Sequence, residues 1–234
     1  MSRVFENELD LKNLNENLHQ TLLEAHRDFD TIIASETNED TKKRLMNLES
    51  KVDTVTKSLK KINQLILLNF YQGNKWRKIE VSTPLKASID KLKRHADKKE
   101  QKIDFENQTT AAINYGDGII FEEFIFDNLI SNAIKFSPHG STIHIRLSQT
   151  ADYNIIEIRD YGIGMDADQL YRINSLTDRI YTADTDGQIG SGMSFPIVSS
   201  LMRKLNGSLI VNSWTKESAE HKRGTAVKLK FHRF

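Results

Sequence analysis

Residues 128–138 read NLISNAIKFSP, with Asn128, Asn132 and Lys135 at i, i+4 and i+7 in a run otherwise filled by Leu129, Ile130, Ala133 and Ile134. At 3.6 residues per turn these three polar side chains share one face of a helix, and the aliphatic residues occupy the remainder. Two amides and an ammonium therefore form a stripe that faces either solvent or a ligand.

Downstream, Asp160-Tyr161-Gly162-Ile163-Gly164 follows an alternating segment, Tyr153–Arg159, that has the pattern of a strand. A carboxylate at a strand end can accept a hydrogen bond from a purine amino group, and two glycines let the backbone turn close to a ligand. An ordinary turn has the same appearance. Further on, Gly187-Gln188-Ile189-Gly190-Ser191-Gly192 leads into the helical pattern of Ile197, Val198, Leu201 and Leu205. Glycine-rich backbone at a helix start presents free N–H groups and the positive end of the helix dipole, which suits phosphate oxygens; a plain flexible connection is the alternative. Gly224-Thr225 opens the last strand pattern.

All four segments, in this order, resemble the GHKL ATPase superfamily and, within it, the histidine kinases. The resemblance covers residues 78–234: NLISNAIKFSP is similar to the kinase N box, DYGIGM to the first glycine box, GQIGSGMSFPI to the second, and RGTAVKL to the closing Gly-Thr motif. It implies a Bergerat fold, a mixed sheet under helices, binding ATP and Mg2+. Carried over by position, Asn132 binds magnesium with Asn128 in support, Lys135 pairs with phosphate, and Phe136 lies near the nucleotide. Asp160 recognises the adenine amino group, with Gly162 and Gly164 shaping the pocket wall. Gly190 and Gly192 flank the phosphates, and Thr225 sits at the adenine end. Ser175 to Ile189 is polar and poorly periodic, as an ATP lid would be, with Arg179 a possible phosphate contact. Ser194 and Pro196 depart from the family pattern; Pro196 falls in a first helical turn, where proline is tolerated.

Around this core the expected strands are Lys102–Glu106, Ala111–Tyr115, Thr142–Ser148, Tyr153–Arg159, Ser208–Ser213 and Thr225–Phe231. Expected helices are Ile119–Lys135, Asp166–Asn174 and Gly192–Leu205, with another starting at Thr83-Pro84. This pattern predicts an α/β sandwich. The basic run Lys91 to Lys102 carries Leu92 and Ala96 on a buried face and reads as a solvated helix surface.

Upstream, Leu11, Leu14, Leu18, Leu22, Ala25, Phe29 and Ile32 alternate spacings of three and four, and Leu45, Leu48, Val52, Val55, Leu59, Ile62 and Ile66 repeat as inner heptad positions. Between them Glu36-Thr37-Asn38-Glu39-Asp40 is rich in helix-capping residues. Two helices joined there form a hairpin, and burying the remaining apolar stripe calls for a second copy. The expectation is a homodimeric four-helix bundle near residues 1–72. The fold class is thus α+β, a helical hairpin over 1–77 followed by the ATP-binding domain over 78–234.

Composition narrows the function classes. Across 234 residues, 33 Lys and Arg balance 32 Asp and Glu for a net charge of +1, so no global field favours nucleic acid. Cysteine is absent, which excludes disulfides and thiolate metal sites. No apolar run approaches the length of a membrane span, and Met1 opens a polar stretch without a signal-peptide core. These features predict a cytoplasmic protein with no membrane segment.

Superfamily members that hydrolyse ATP carry a glutamate one turn before the magnesium asparagine as general base, where this chain has Asn128. An amide cannot take up a proton at neutral pH, so the resemblance favours phosphoryl transfer to a side chain. In histidine kinases the acceptor lies on the first hairpin helix in a pattern like His-Glu-Leu-Arg-Thr-Pro, and no such string occurs. The helix offers His19, beside Leu18 and Leu22 but followed by Gln20, and His26, which opens His26-Arg27-Asp28-Phe29 close to the turn. Either is also readable as a solvated residue. The expected partner is the receiver domain of a response regulator. The alternative is a scaffold that docks such a regulator, with nucleotide binding as its switch.

Overall fold

The computed structural model describes residues 21, 24–25, 27–70, 77–175, 185–186, 192–217 and 223–233. The chain divides into two compact units, residues 1–72 and 73–234.

In the first unit residues 27–35 form helix α1, and Glu39–Phe70 form the 32-residue α2. Asn38 makes the expected break: its Oδ1 accepts the backbone N–H groups of Asp40 at 3.0 Å and Thr41 at 3.1 Å. That N-cap satisfies donors that the first turn leaves unpaired, and Glu39 and Asp40 add negative charge at the positive end of the helix. Ile32, Met46, Leu48 and Val55 are each about half exposed. The first-helix pattern up to residue 20 lies outside the described residues.

The second unit holds two sheets. Strand β1 (Arg77–Glu80) pairs antiparallel with β3 (Ile113–Gly116), and five strands run in the order β2 (Lys102–Asn107), β4 (Thr142–Gln149), β5 (Tyr153–Arg159), β7 (Gly224–His232), β6 (Ser208–Trp214). Among the described strands only the β2–β4 pair is parallel. The expected boundary between residues 77 and 78 falls inside β1. The expected strand at Ala111–Tyr115 is displaced to Ile113–Gly116, since pairing with β1 decides its limits.

Alternation buries Ile143, Ile145 and Leu147 on β4, Ile156 and Ile158 on β5, and Val227, Leu229 and Phe231 on β7. The helical layer supplies α3 (Ser82–Lys98), α5 (Ala167–Ser175) and α6 (Ser194–Lys204). Phe121 ties the layers together, its ring centroid 5.2 Å from that of Phe231 and 5.8 Å from that of Phe126. The opposite sheet face is charged and in register: Glu106 pairs with Arg146 at 3.0 Å, Arg146 lies opposite Glu157, and Glu157 pairs with Lys228 at 3.3 Å. Such exposed pairs contribute little individually but set opposite charges across the β2–β4, β4–β5 and β5–β7 boundaries.

The helix expected over Ile119–Lys135 is not uniform. Ile120–Phe126 is a π-helix, and a regular helix, α4, follows over Asp127–Phe136. Among the described residues no helix is long and apolar enough to cross a membrane.

Candidate functional site

The site begins at the C-terminal end of β5, where Asp160 is 6% exposed. Its Oδ1 accepts the backbone N–H of Gly162 at 2.9 Å and of Thr225 at 3.0 Å, while its own N–H donates to the Thr225 carbonyl at 2.9 Å. Both amides converge on one oxygen, so Oδ2 is left as an acceptor. Burial pushes the carboxyl up from the ordinary 3.8 to about 6, against the pull of those amides and of the Arg159 charge.

Three glycines permit this geometry, each because backbone occupies the place of a side chain. A Cβ on Gly162 would collide with the carbonyl oxygen of Phe136, the last residue of α4. One on Gly164, where φ is +72°, would meet the carbonyl oxygen of Trp214 at the end of β6. One on Gly224, at φ +95°, would meet the Asp160 carbonyl oxygen. The N–H of Ile163 donates to the Phe136 carbonyl at 3.1 Å, which fastens the turn after Asp160 to α4. Thr225 Oγ1 shares a 2.9 Å hydrogen bond with Ser213 Oγ, which also accepts the Met165 N–H at 2.8 Å. On the outside, the Arg159 guanidinium lies 5.0 Å from the Tyr161 ring centroid and 4.7 Å from that of Trp214, and donates to the Arg223 carbonyl at 2.7 Å.

On α4, Asn132 and Phe136 are partly exposed and Lys135 is exposed, whereas Asn128 is 8% exposed. The Asn128 Nδ2 donates one N–H to the Phe124 carbonyl at 2.9 Å inside the π-helix, which fixes the side chain's orientation. Its neighbour Asp127 is engaged elsewhere: Ser88 Oγ donates to Oδ1, and Lys91 Nζ reaches Oδ2 at 2.7 Å from α3. Asp127→Asn should therefore lower stability by about 1–2 kcal/mol in denaturant melts, through the weakened Lys91 pair, and leave any slow ATP hydrolysis unchanged. A large fall in hydrolysis would instead make Asp127 the base.

At the other side Gly192 has φ +66° and precedes α6, whose first turn has no side-chain cap. The Ile197 N–H donates to the Met193 carbonyl at 3.1 Å, and the start of such a helix carries the positive end of its dipole, which favours an anion. Pro196 lies within that first turn, as expected. The structure unites Asp160, Gly162, Gly164 and Thr225 with the end of the α4 helix. His19, His26, Arg179 and Gly190 lie outside the described residues, as does most of the expected lid.

Two contributors were not evident from sequence. Gln101 is buried and its Nε2 donates to the carbonyls of Ile134, Ser137 and Pro138, closing the C-terminal end of α4. Lys99 belongs to the basic run read as a solvated surface, yet it is 7% exposed. Nothing local distinguishes it from Lys98 or Lys102; the difference is tertiary.

Residues 121–233 match a family model described as histidine kinase-, DNA gyrase B-, and HSP90-like ATPase. Similar curated proteins include the sensor protein IrlS of Burkholderia pseudomallei, 38% identical over 86 residues, which is 37% of this chain and 18% of that protein. Another is the histidine protein kinase SaeS of Staphylococcus aureus, 33% identical over 123 residues, covering 49% of this chain and 35% of SaeS. The chain therefore matches from about a sixth to about a third of the length of these relatives. Among solved structures, the Acinetobacter baumannii histidine kinase AdeS aligns with TM-score 0.59 at 15% identity, over 92% of this chain and 96% of that one. At that identity the likeness is one of fold.

Proposed function

We propose that this chain, whose residues 121–233 are an ATPase domain of the histidine kinase, gyrase B and HSP90 type, is the kinase core of a two-component sensor. On this reading it binds ATP with magnesium and transfers the γ-phosphoryl group to a histidine of its own N-terminal helices. From there the group passes to a receiver domain. The observation that carries the reading is the buried Asp160 carboxylate, with two backbone amides on one oxygen and the other oxygen left to accept from the adenine amino group.

The residues suit the nucleotide and its metal. Asn132 offers an amide oxygen, a hard donor of the kind magnesium accepts, and the start of α6 presents the positive end of a helix dipole to phosphate. Among the described residues no cluster of three or more His, Asp or Glu could hold a metal, so its other ligands would be phosphate oxygens and water. When bound, magnesium neutralises charge building on the transferring phosphate. Lys135 stands one turn beyond Asn132 to pair with phosphate.

Transfer rather than hydrolysis is favoured because the general-base position holds Asn128, whose amide is bonded to the Phe124 carbonyl, while Asp127 is tied to Ser88 and Lys91. In the transfer, a neutral imidazole nitrogen attacks the γ-phosphorus, the bond to the β–γ bridging oxygen breaks, and ADP leaves. The half-exposed Ile32, Met46, Leu48 and Val55 support a homodimer through the N-terminal helices, which would cover them with a second copy.

The test is incubation with Mg-ATP labelled at the γ position. Acid-labile, base-stable label that disappears in His19→Ala or in His26→Ala names the acceptor. Absence of label from the unaltered chain, with ATP binding retained, would overturn the kinase reading in favour of a regulator-docking scaffold.

A further inference from the structure

The side chain of Lys99 is nearly enclosed, yet it ends in a charge. A buried ammonium is costly to desolvate and persists only with partners on several sides. Its Nζ donates to the carbonyls of Ile134 and Lys135, each at 3.3 Å, and to Thr185 Oγ1 at 2.5 Å, and it lies 3.5 Å from Asp186 Oδ2. The two carbonyls belong to the last turn of α4, where the helix dipole concentrates negative charge. Thr185 adds its own bonds to the same turn: its N–H donates to the Lys135 carbonyl at 3.3 Å, and its Oγ1 approaches that carbonyl at 3.0 Å and the Ser137 carbonyl at 3.3 Å. Asp186 Oδ1 lies 3.7 Å from His139 Nε2.

We infer that Lys99 is a positioning residue for the phosphate end of the nucleotide site, acting through two elements that it joins. It closes the C-terminal end of the helix carrying Asn132 and Lys135, and it tethers the Thr185–Asp186 turn to that end. Lys99 touches no reacting atom. Its effect is to hold the last turn of α4 at one setting, so that the amide and the ammonium of the stripe meet metal and phosphate together. The adenine end depends on Asp160, Gly162 and Thr225, none of which Lys99 contacts, so loss of Lys99 affects the two ends unequally. The inference rests on the nucleotide reading above.

The experiment uses the full chain and three variants, Lys99→Met, Lys99→Arg and Asp186→Asn. Three quantities are read: exchange of the Thr185 amide without nucleotide, calorimetric affinity for a non-hydrolysable ATP analogue with magnesium, and affinity for adenosine. In Lys99→Met, Thr185 exchange should rise about tenfold and the magnesium-nucleotide affinity fall about tenfold, with adenosine affinity changed less than about twofold. Lys99→Arg, which keeps a donor fork, should recover most of both. Asp186 is half exposed, so Asp186→Asn folds even if Lys99→Met does not, and should show about threefold changes in the same two quantities. Unchanged Thr185 exchange in the variants overturns the tether. Parallel loss of adenosine and magnesium-nucleotide affinity overturns the positioning role and leaves Lys99 a general stabiliser. An unaltered chain that binds neither ligand fells the nucleotide reading and the positioning role with it, and is told apart because the exchange data report the tether alone.

Discussion

Asp160→Asn should weaken nucleotide binding by on the order of 100-fold while making the domain more stable above neutral pH. Both effects come from one buried oxygen pair. Asparagine keeps an Oδ1 to accept from Gly162 and Thr225, but its NH2 then takes the place of Oδ2. On the proposed reading a donor there would face the adenine amino group, itself a donor, and leave both unsatisfied. The stability gain follows from the raised carboxyl. Unfolded, Asp160 titrates near 3.8; folded, it titrates near 6, so the native state holds the proton more tightly. Its favourable contribution is fully present below about pH 4 and is lost as pH rises through about 6, above which the folded protein carries a buried charge at a cost of roughly 3 kcal/mol. Denaturant melts of Asp160→Asn should therefore exceed the unaltered chain at pH 8 and converge with it at pH 4. For the unaltered chain, nucleotide affinity should fall as pH drops below about 6, because protonation removes the acceptor. Equal affinity in both proteins at pH 8 would remove Asp160 from the recognition of adenine.

Gly224→Ala should be among the most damaging single-methyl additions in the domain. The position has φ +95°, where a side chain is strained in any surroundings, and the added carbon would meet the Asp160 carbonyl oxygen and lie 2.6 Å from both the Gly162 nitrogen and the Tyr161 Cα. All three atoms are backbone of the loop that aims the carboxylate, so relief requires moving the loop. A loss of about 3 kcal/mol or more is expected, with nucleotide binding abolished. Gly118→Ala is the matched control: no atom lies within 4 Å of its added carbon, and its effect should stay within about 0.5 kcal/mol of zero or be slightly stabilising. Comparable losses in the two variants would show that general helix or loop propensity, rather than this packing, governs the site.

The parts of the fold visible in the sequence are those with a local period or a local conformational demand. Alternation in Thr142–Gln149 and Tyr153–Arg159, and the capping residues around Asn38, depend on near neighbours and so leave a written pattern. Asp160 and its glycines were legible as a motif. Their physical reasons were not, because the carbonyls of Phe136 and Trp214 reach Gly162 and Gly164 from far along the chain. Strand β1 has only four residues, Arg77–Glu80, and exists through its pairing with β3, so no window around it signals a strand. Lys99 fails for the same reason in reverse: among several lysines of one run, only the fold selects which is enclosed. The histidines at 19 and 26 depend on residues that the structure does not describe.

The π-helix before α4 keeps two spacings in phase. Phe121, Ile125, Leu129 and Ala133 recur every four residues and are all buried. In an unbroken α-helix each such step overshoots a full turn by about 40°, and the row would spiral out of the core within a few turns. A wider turn over Ile120–Phe126 takes up part of that drift, as a vernier takes up a mismatch between scales. Greasy side chains thus stay inward across the junction, and Asn132 and Lys135 emerge together on the outer side. The aim of the polar stripe is consequently calibrated upstream of it, by the hydrogen bonds of the π-helix.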